Sequence, residues 1–179
     1  MGVLKYAILG LLNQKNMTGY DITKEFEETL CEFWNAKHSQ IYPELKLLNK
    51  QGMVEYKIEI SGTVLEKKLY SITELGRNDF MKWLESKIDI PPTFKDEFRL
   101  QLFFSNCLSE QTREELIINH LNQHIKRLEY LRNNQEKFNG SIPEKNTSAF
   151  SDYLVLMGAI MREENTCRWL EKCLELCRK

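Results

Sequence analysis

The side chains best suited by type and spacing to do chemistry stand together in the run Lys37-His38-Ser39-Gln40-Ile41-Tyr42. What they offer is recognition. A glutamine amide both donates and accepts hydrogen bonds, which suits the paired groups on a base edge, so Gln40 is the leading candidate for reading a base. His38, Ser39 and Tyr42 stand beside it, and four such side chains at one helix start exceed what a cap requires. Lys37 and Lys46 suit phosphate oxygens, which position a protein on a duplex without specifying its sequence. Lys67 and Lys68 are adjacent, so on an extended strand only one can serve a given side, and Lys67 is preferred. A charged edge strand guarded against aggregation explains the same pair without a ligand. Gly19-Tyr20 opens a further helix, whose free N-terminus would attract an anion while the Tyr20 hydroxyl added a phosphate contact. A turn glycine followed by a packed tyrosine accounts for that pair equally well.

The elements that must position these residues follow from the hydrophobic period. Val3, Leu4, Ala7, Ile8, Leu11 and Leu12 recur at helical spacing, which predicts a first helix over about residues 2–13. Thr18, with Asp21 three residues on, reads as the N-cap of a second helix that turns Ile22, Phe26, Leu30 and Phe33 inward. Asn35 to His38 separates it from a third helix, with Ser39 as N-cap and Ile41, Leu45 and Leu48 as the buried stripe. Pro43 falls in or just after its first turn, and Gly52 ends it as a left-handed cap. Val54, Tyr56, Ile58 and Ile60 then alternate with Glu55, Lys57 and Glu59, the mark of a half-buried strand. Ser61-Gly62-Thr63 is a turn, and Val64 to Ile72 is the returning strand of a hairpin. Thr73 caps a fourth helix carrying Leu75, Phe80, Met81, Trp83 and Leu84, and Ile90-Pro91-Pro92 closes the unit.

The remainder is helical. Phe94 to about Cys107 is apolar and expected to be buried. Ser109 caps a long helix, with Thr112 as a competing cap. Ile117, Leu121, Leu128 and Leu131 line that helix, and His124 fills the missing position. Asn139 to Thr147 is a loop. A last helix from about Ser148 turns Tyr153, Met157, Ile160, Cys167, Leu170 and Leu174 to one face. The fold class is therefore mainly α: a winged helix-turn-helix over residues 1–90 (three helices, a β-hairpin wing, a fourth helix) and an all-helical domain over 91–179. In this layout the third helix enters a major groove, the second crosses the backbone and the wing reaches an adjacent stretch of duplex.

These residues resemble the PadR family of bacterial transcriptional regulators. The likeness rests on Leu9-Gly10-Leu11-Leu12, Thr18-Gly19-Tyr20-Asp21-Ile22, Ser39-Gln40-Ile41-Tyr42-Pro43-Glu44-Leu45 with Leu48, Gly52-Met53-Val54, Tyr70-Ser71-Ile72-Thr73 and Gly76-Arg77. It covers about the first 90 residues closely. The helical half is similar in layout to the larger subgroup, whose C-terminal region is termed virulence-activator-like. The resemblance implies a cytoplasmic homodimer joined through its C-terminal helices and bound to a double-stranded operator with two related half-sites. Many members are repressors released by a small phenolic or drug-like effector. Wings in the family often carry Gly-Pro and an Arg; Ser61 to Lys68 has neither Pro nor Arg, which implies a weaker or displaced grip. The rival reading is a winged helix that docks on protein without binding DNA.

Composition bounds these readings. The 179 residues are 42% hydrophobic and 28% charged, ordinary for a folded chain, and the net charge of −1 leaves nucleic-acid binding dependent on local lysines. The odd count of five cysteines, with no export signal read at the start, argues for free buried or half-buried thiols in the cytosol. No stretch approaches a membrane span. Trp34, Trp83 and Trp169 are candidate walls of an aromatic effector pocket at a dimer interface, with plain core as the alternative. His120 and His124, four apart, have metal-ligand spacing but no third ligand nearby in sequence, so no metal or other cofactor is expected. Glu164 breaks the apolar face of the last helix, to pair across an interface or to lie at its solvent edge. No phosphate loop, nucleophile elbow or zinc-protease motif is present, and no catalytic residues are expected.

Overall fold

A computed structural model describes residues 2–31, 33–34, 36–61, 65–90, 92 and 95–179. The chain divides into two compact units, Met1–Pro91 and Pro92–Lys179. In the first, α1 (Leu4–Gln14), β1 (Met17–Thr18), α2 (Gly19–Glu28), α3 (His38–Lys50), β2 (Val54–Ser61), β3 (Leu65–Ile72) and α4 (Glu74–Leu84) follow in order. In the second come α5 (Glu97–Phe103), α6 (Glu110–Gln135) and α7 (Ser148–Cys177). Among the described residues no helix is long and apolar enough to cross a membrane.

The core of the first unit forms where the apolar stripes of α1, α2 and α3 meet one face of the sheet. Ile8, Leu9, Ile22, Phe26, Ile41, Leu45 and Leu48 are buried with Val54, Tyr70 and Phe80. Gly52 takes φ +69°, the left-handed conformation that lets the chain leave α3 for β2. The sheet has three strands in the order β1-β3-β2, all antiparallel, rather than the hairpin alone. Met17 and Thr18 pair with Tyr70 and Leu69, so the polar break after α1 is a short edge strand. Gly62 and Thr63 of the expected turn, with Val64, lie outside the described residues.

Several expectations change at element ends. The second helix stops at Glu28, so Leu30 and Phe33 belong to the connection and Phe33 is exposed. The third helix begins at His38 with Lys37 as N-cap, two residues earlier than a Ser39 cap requires. Pro43 is its sixth residue and, having no N–H, leaves the Ser39 carbonyl without its in-helix donor. On β2 Val54 of the alternating set is buried, whereas Tyr56 and Ile58 face solvent. Leu75, Met81 and Leu84 of α4 are likewise exposed, because its inner face is short and built on Gly76 and Phe80.

One lysine sits inside the first unit. Lys5 is 4% exposed, and its ammonium donates to Asp79 at 2.8 Å, joining α1 to α4. Burial works against the charge, but Asp79 and Tyr6 outweigh it and hold the pKa of Lys5 above its ordinary value.

In the second unit, α6 and α7 lie antiparallel. Arg178 meets Glu114 at one end, Arg132 meets Glu164 in the middle, and Lys137 meets Asp152 at the other end. Glu164 thus pairs within its own chain. Ion pairs this exposed contribute at most about 1 kcal/mol each; packing does the rest. One cluster joins Phe98, Ile117, Leu121, Cys167, Leu170 and Leu174, and a second joins Leu131, Leu156, Ala159 and Ile160. His124 lies in the seam, as a polar residue hydrogen-bonded to Glu163 of α7. The segment around α5 is less buried than its composition suggests: Phe98 is inside, but Leu100, Phe103 and Phe104 face solvent. Phe94 lies outside the described residues. All five cysteines are free; Cys107 is exposed, against the expectation of buried or half-buried thiols, and Cys167 alone is fully buried.

Candidate nucleic-acid interface

Helix α3 is anchored by Ile41, Leu45 and Leu48, each fully buried, so the opposite row must point outward. Lys37, His38, Ser39, Gln40 and Lys46 are all exposed, and Tyr42 is half-buried. Lys50 continues the row one turn beyond Lys46; extending the four-residue step from Lys46 would have found it.

The half-burial of Tyr42 explains Gly19. A Cβ on Gly19 would lie 2.9 Å from two ring atoms of Tyr42 and 3.0 Å from its hydroxyl oxygen, so only glycine lets the ring rest there. The His38 ring packs on Tyr42 as well, with centroids 4.2 Å apart. Tyr42 is thus clamped between the first turn of α2 and the first turn of its own helix. Such pre-ordering lowers the entropy lost when a side chain engages a ligand.

Gln40 has a second duty. The backbone N–H of Lys37 donates to its Oε1 at 3.0 Å, which caps α3. The Gln40 carbonyl is therefore engaged before any duplex arrives, while its NH₂ remains available to donate.

The start of α2 carries a capping box. Thr18 Oγ1 accepts from the Asp21 N–H at 3.2 Å, and the Asp21 carboxylate accepts from the Thr18 N–H at 2.9 Å and its hydroxyl at 2.7 Å. This reciprocal box engages the N–H groups of Thr18 and Asp21 and sets a negative charge beside the helix start, which weakens the attraction for an anion expected at Gly19-Tyr20. Tyr20 itself projects into solvent, 72% exposed, so it is no packed core residue. The Thr18 hydroxyl first, and then its N–H, hold the Asp21 carboxyl below the ordinary carboxylate range. A lowered folded-state pKa gives stability above the unfolded value, which is lost as pH falls through the folded one. Asp21→Asn is expected to lower stability by about 1 kcal/mol at pH 7. Urea unfolding of both proteins at pH 7 and pH 3 should show that difference shrinking in acid; an equal difference at both would show that the carboxylate charge is not involved.

In the wing, Lys67 and Lys68 are exposed and alternate in direction along β3. Lys68 shares the side of Tyr70 and lies 4.1 Å above the Tyr56 ring. The charge of Lys67 acts on Asp21, which sets it electrostatically beside the start of α2 and favours it for the recognition side.

Of the three tryptophans, two come together. Trp34 and Trp83 line a cavity of about 320 Å³ in the first unit, with Tyr6, Phe33 and Phe80 as further aromatic walls and Asn13 and Gln14 as polar ones. Tyr6 stacks on Trp83 with centroids 4.6 Å apart. Trp169 belongs to the second unit, where its ring meets Phe98 and the Arg99 guanidinium, and it lines no part of that cavity. Among the described residues no group of three or more His, Cys, Asp or Glu side chains is placed to hold a metal ion.

Comparison with known proteins agrees with this geometry. Residues 8–82 match the transcriptional regulator PadR-like family, and residues 94–178 match the virulence activator alpha C-terminal family. The negative transcriptional regulator PadR of Bacillus subtilis is 45% identical over 181 residues, covering 100% of both chains. A crystal structure of Bacillus subtilis PadR in complex with operator DNA superposes with a TM-score of 0.93 at 43% identity, over 98% of this chain and 99% of that one. The structure of that protein in complex with p-coumaric acid gives 0.89 at 39% identity, over 99% and 100%. With likeness of this degree along its whole length, the chain belongs to the PadR family of transcriptional regulators.

Proposed function

We propose that this protein is a cytoplasmic, operator-binding repressor that works as a homodimer and is released by a small aromatic acid. The observation that carries the reading is the outward leading edge of α3, with Tyr42 clamped against Gly19 and His38, Ser39 and Gln40 exposed around it. Residues 1–90 bind DNA: α3 enters the major groove, and Lys37, Lys46 and Lys67 meet phosphates. The complex of the Bacillus subtilis relative with operator DNA supports that role.

Residues 91–179 dimerise. Two long antiparallel helices bury one seam between them and leave apolar rows exposed. Leu154, Met157 and Met161 are exposed at i, i+3 and i+7 on α7, as are Leu100 and Phe103 on α5. A row of that kind is costly in water and is expected to be covered by a second copy. Two first units held about 34–36 Å apart would meet successive major grooves on one face of the duplex.

The cavity walled by Trp34 and Trp83 suits a small aromatic effector, and the relative's complex with p-coumaric acid supports that class. An effector releases DNA by binding better to a conformation in which the two reading helices are misplaced. The test is anisotropy of a labelled duplex from the protein's own upstream region, titrated across salt and then with p-coumaric acid. About six to ten phosphate contacts per dimer imply a fall in affinity of about a thousandfold or more between 50 and 200 mM salt. Flat salt dependence would overturn DNA binding and favour the protein-docking alternative, for which the net charge of −1 speaks.

A further inference from the structure

We propose that His120 and His124 form a chelating site for one divalent first-row transition ion of the imidazole-preferring kind, with Glu163 orienting the pair. The two side chains project from consecutive turns of α6, and their Nε2 atoms stand 3.2 Å apart. Nitrogens bound to one ion at 2.0–2.1 Å with an angle near tetrahedral stand about 3.2–3.4 Å apart. The ring separation excludes a straight hydrogen bond between the two nitrogens. A straight N–H···N bond of this length would put the ring centroids about 5.5 Å apart; two imidazoles meeting at one ion place them about 5 Å apart. The observed separation is 4.7 Å, so the lone-pair axes are tipped off the line joining the nitrogens.

The surroundings fix this arrangement. His124 Nδ1 is hydrogen-bonded to the Glu163 carboxylate, which makes Nδ1 the protonated nitrogen and leaves the Nε2 lone pair toward the gap. Carboxylate–histidine pairs of this kind orient metal-ligating imidazoles and raise their basicity. His120 is held from behind by Phe98, stacked at 3.6 Å and 7°. The His124 side chain is 26% exposed, so an ion can reach the gap and water can complete its shell. No third protein ligand stands among the described residues, which sets the site apart from a closed structural one. An ion there would join two turns of α6 directly and reach α7 through Glu163.

The experiment is calorimetric titration of untagged full-length protein with ZnCl₂, read beside long-range ¹H–¹⁵N spectra of the imidazoles. The parent is expected to show a saturable site absent from His120→Phe, a variant that keeps a flat ring against Phe98. Glu163→Gln should bind about 10–100-fold more weakly. His38→Ala, which removes a histidine of the first unit, should bind like the parent, and the five thiols common to all four proteins supply a constant background. On zinc addition the Nε2 signals of His120 and His124 should both shift. If His120→Phe titrates like the parent, or those two signals stay where they are, the pair is only a hydrogen bond and the proposal fails.

Discussion

Gly76→Ala is expected to destabilise the first unit by about 3–5 kcal/mol, well above the effect of most single substitutions. Gly76 is the third residue of α4, and its constraint is space rather than backbone conformation. A Cβ built there would lie 2.1 Å from the Met53 carbonyl oxygen, 3.0 Å from its carbon and 3.1 Å from Ile72 Cγ1. That carbonyl cannot move aside cheaply. It accepts from the Thr73 N–H at 3.1 Å, while the Met53 N–H donates to Leu48 at 2.9 Å and the Thr73 hydroxyl donates to Gly52 at 2.6 Å. Moving it would disturb the corner where α3, β2, β3 and α4 meet. The Thr73 cap would suffer too, since its Oγ1 accepts from the Gly76 N–H itself. For a unit of this size the midpoint of thermal unfolding should fall by about 12 °C or more. A scan showing a fall of less than about 4 °C would mean that the helix can tilt away without loss.

The second large effect is on DNA. Tyr42→Ala should weaken operator binding about 5–150-fold, the range for a side chain that meets a base edge. Tyr42→Phe separates the two parts of the residue: it keeps the ring on Gly19 and removes the hydroxyl, so a small loss would assign the effect to the ring. Gln40→Ala should weaken binding similarly and also cost about 0.5–1 kcal/mol of stability, because its carbonyl caps α3. Gly19→Ala tests the clamp without touching either reading residue, since the new methyl must push the Tyr42 ring. Anisotropy gives the affinities and urea unfolding the stability. If Tyr42→Ala and Gln40→Ala both bind like the parent, the reading surface lies elsewhere on the unit.

Much of this was legible from the residues. The stripe Ile41, Leu45, Leu48 placed the third helix with its polar row outward, because a helix that buries one side must expose the other. The caps at Thr18, Thr73 and Ser109 were readable because each is a local hydrogen bond. Other features left no local trace. The strand Met17–Thr18 is two residues long, too short to show a period, and exists only because Tyr70 and Leu69 come alongside. Leu30 and Phe33 continue the helical spacing of α2, yet the helix ends at Glu28, since periodicity marks a face but not the last residue that keeps it. Lys5 reads as a lone polar residue on an apolar helix; its partner Asp79 lies 74 positions away. Trp34 and Trp83 meet in one cavity and Trp169 does not, although all three are equally apolar as residues.

By itself the sequence determined the order and type of the main elements, the helix caps and the row of side chains that can meet a duplex. Each of these depends on neighbours within about one turn or one hairpin, where backbone geometry links residue type to position. Only the tertiary structure decided that Tyr42 rests on Gly19, that Gly76 must lack a side chain and that Glu163 and Phe98 hold His124 and His120 in place. Those outcomes depend on which surfaces approach and how closely. That closeness comes from packing the whole unit at once, so no spacing along the chain encodes it.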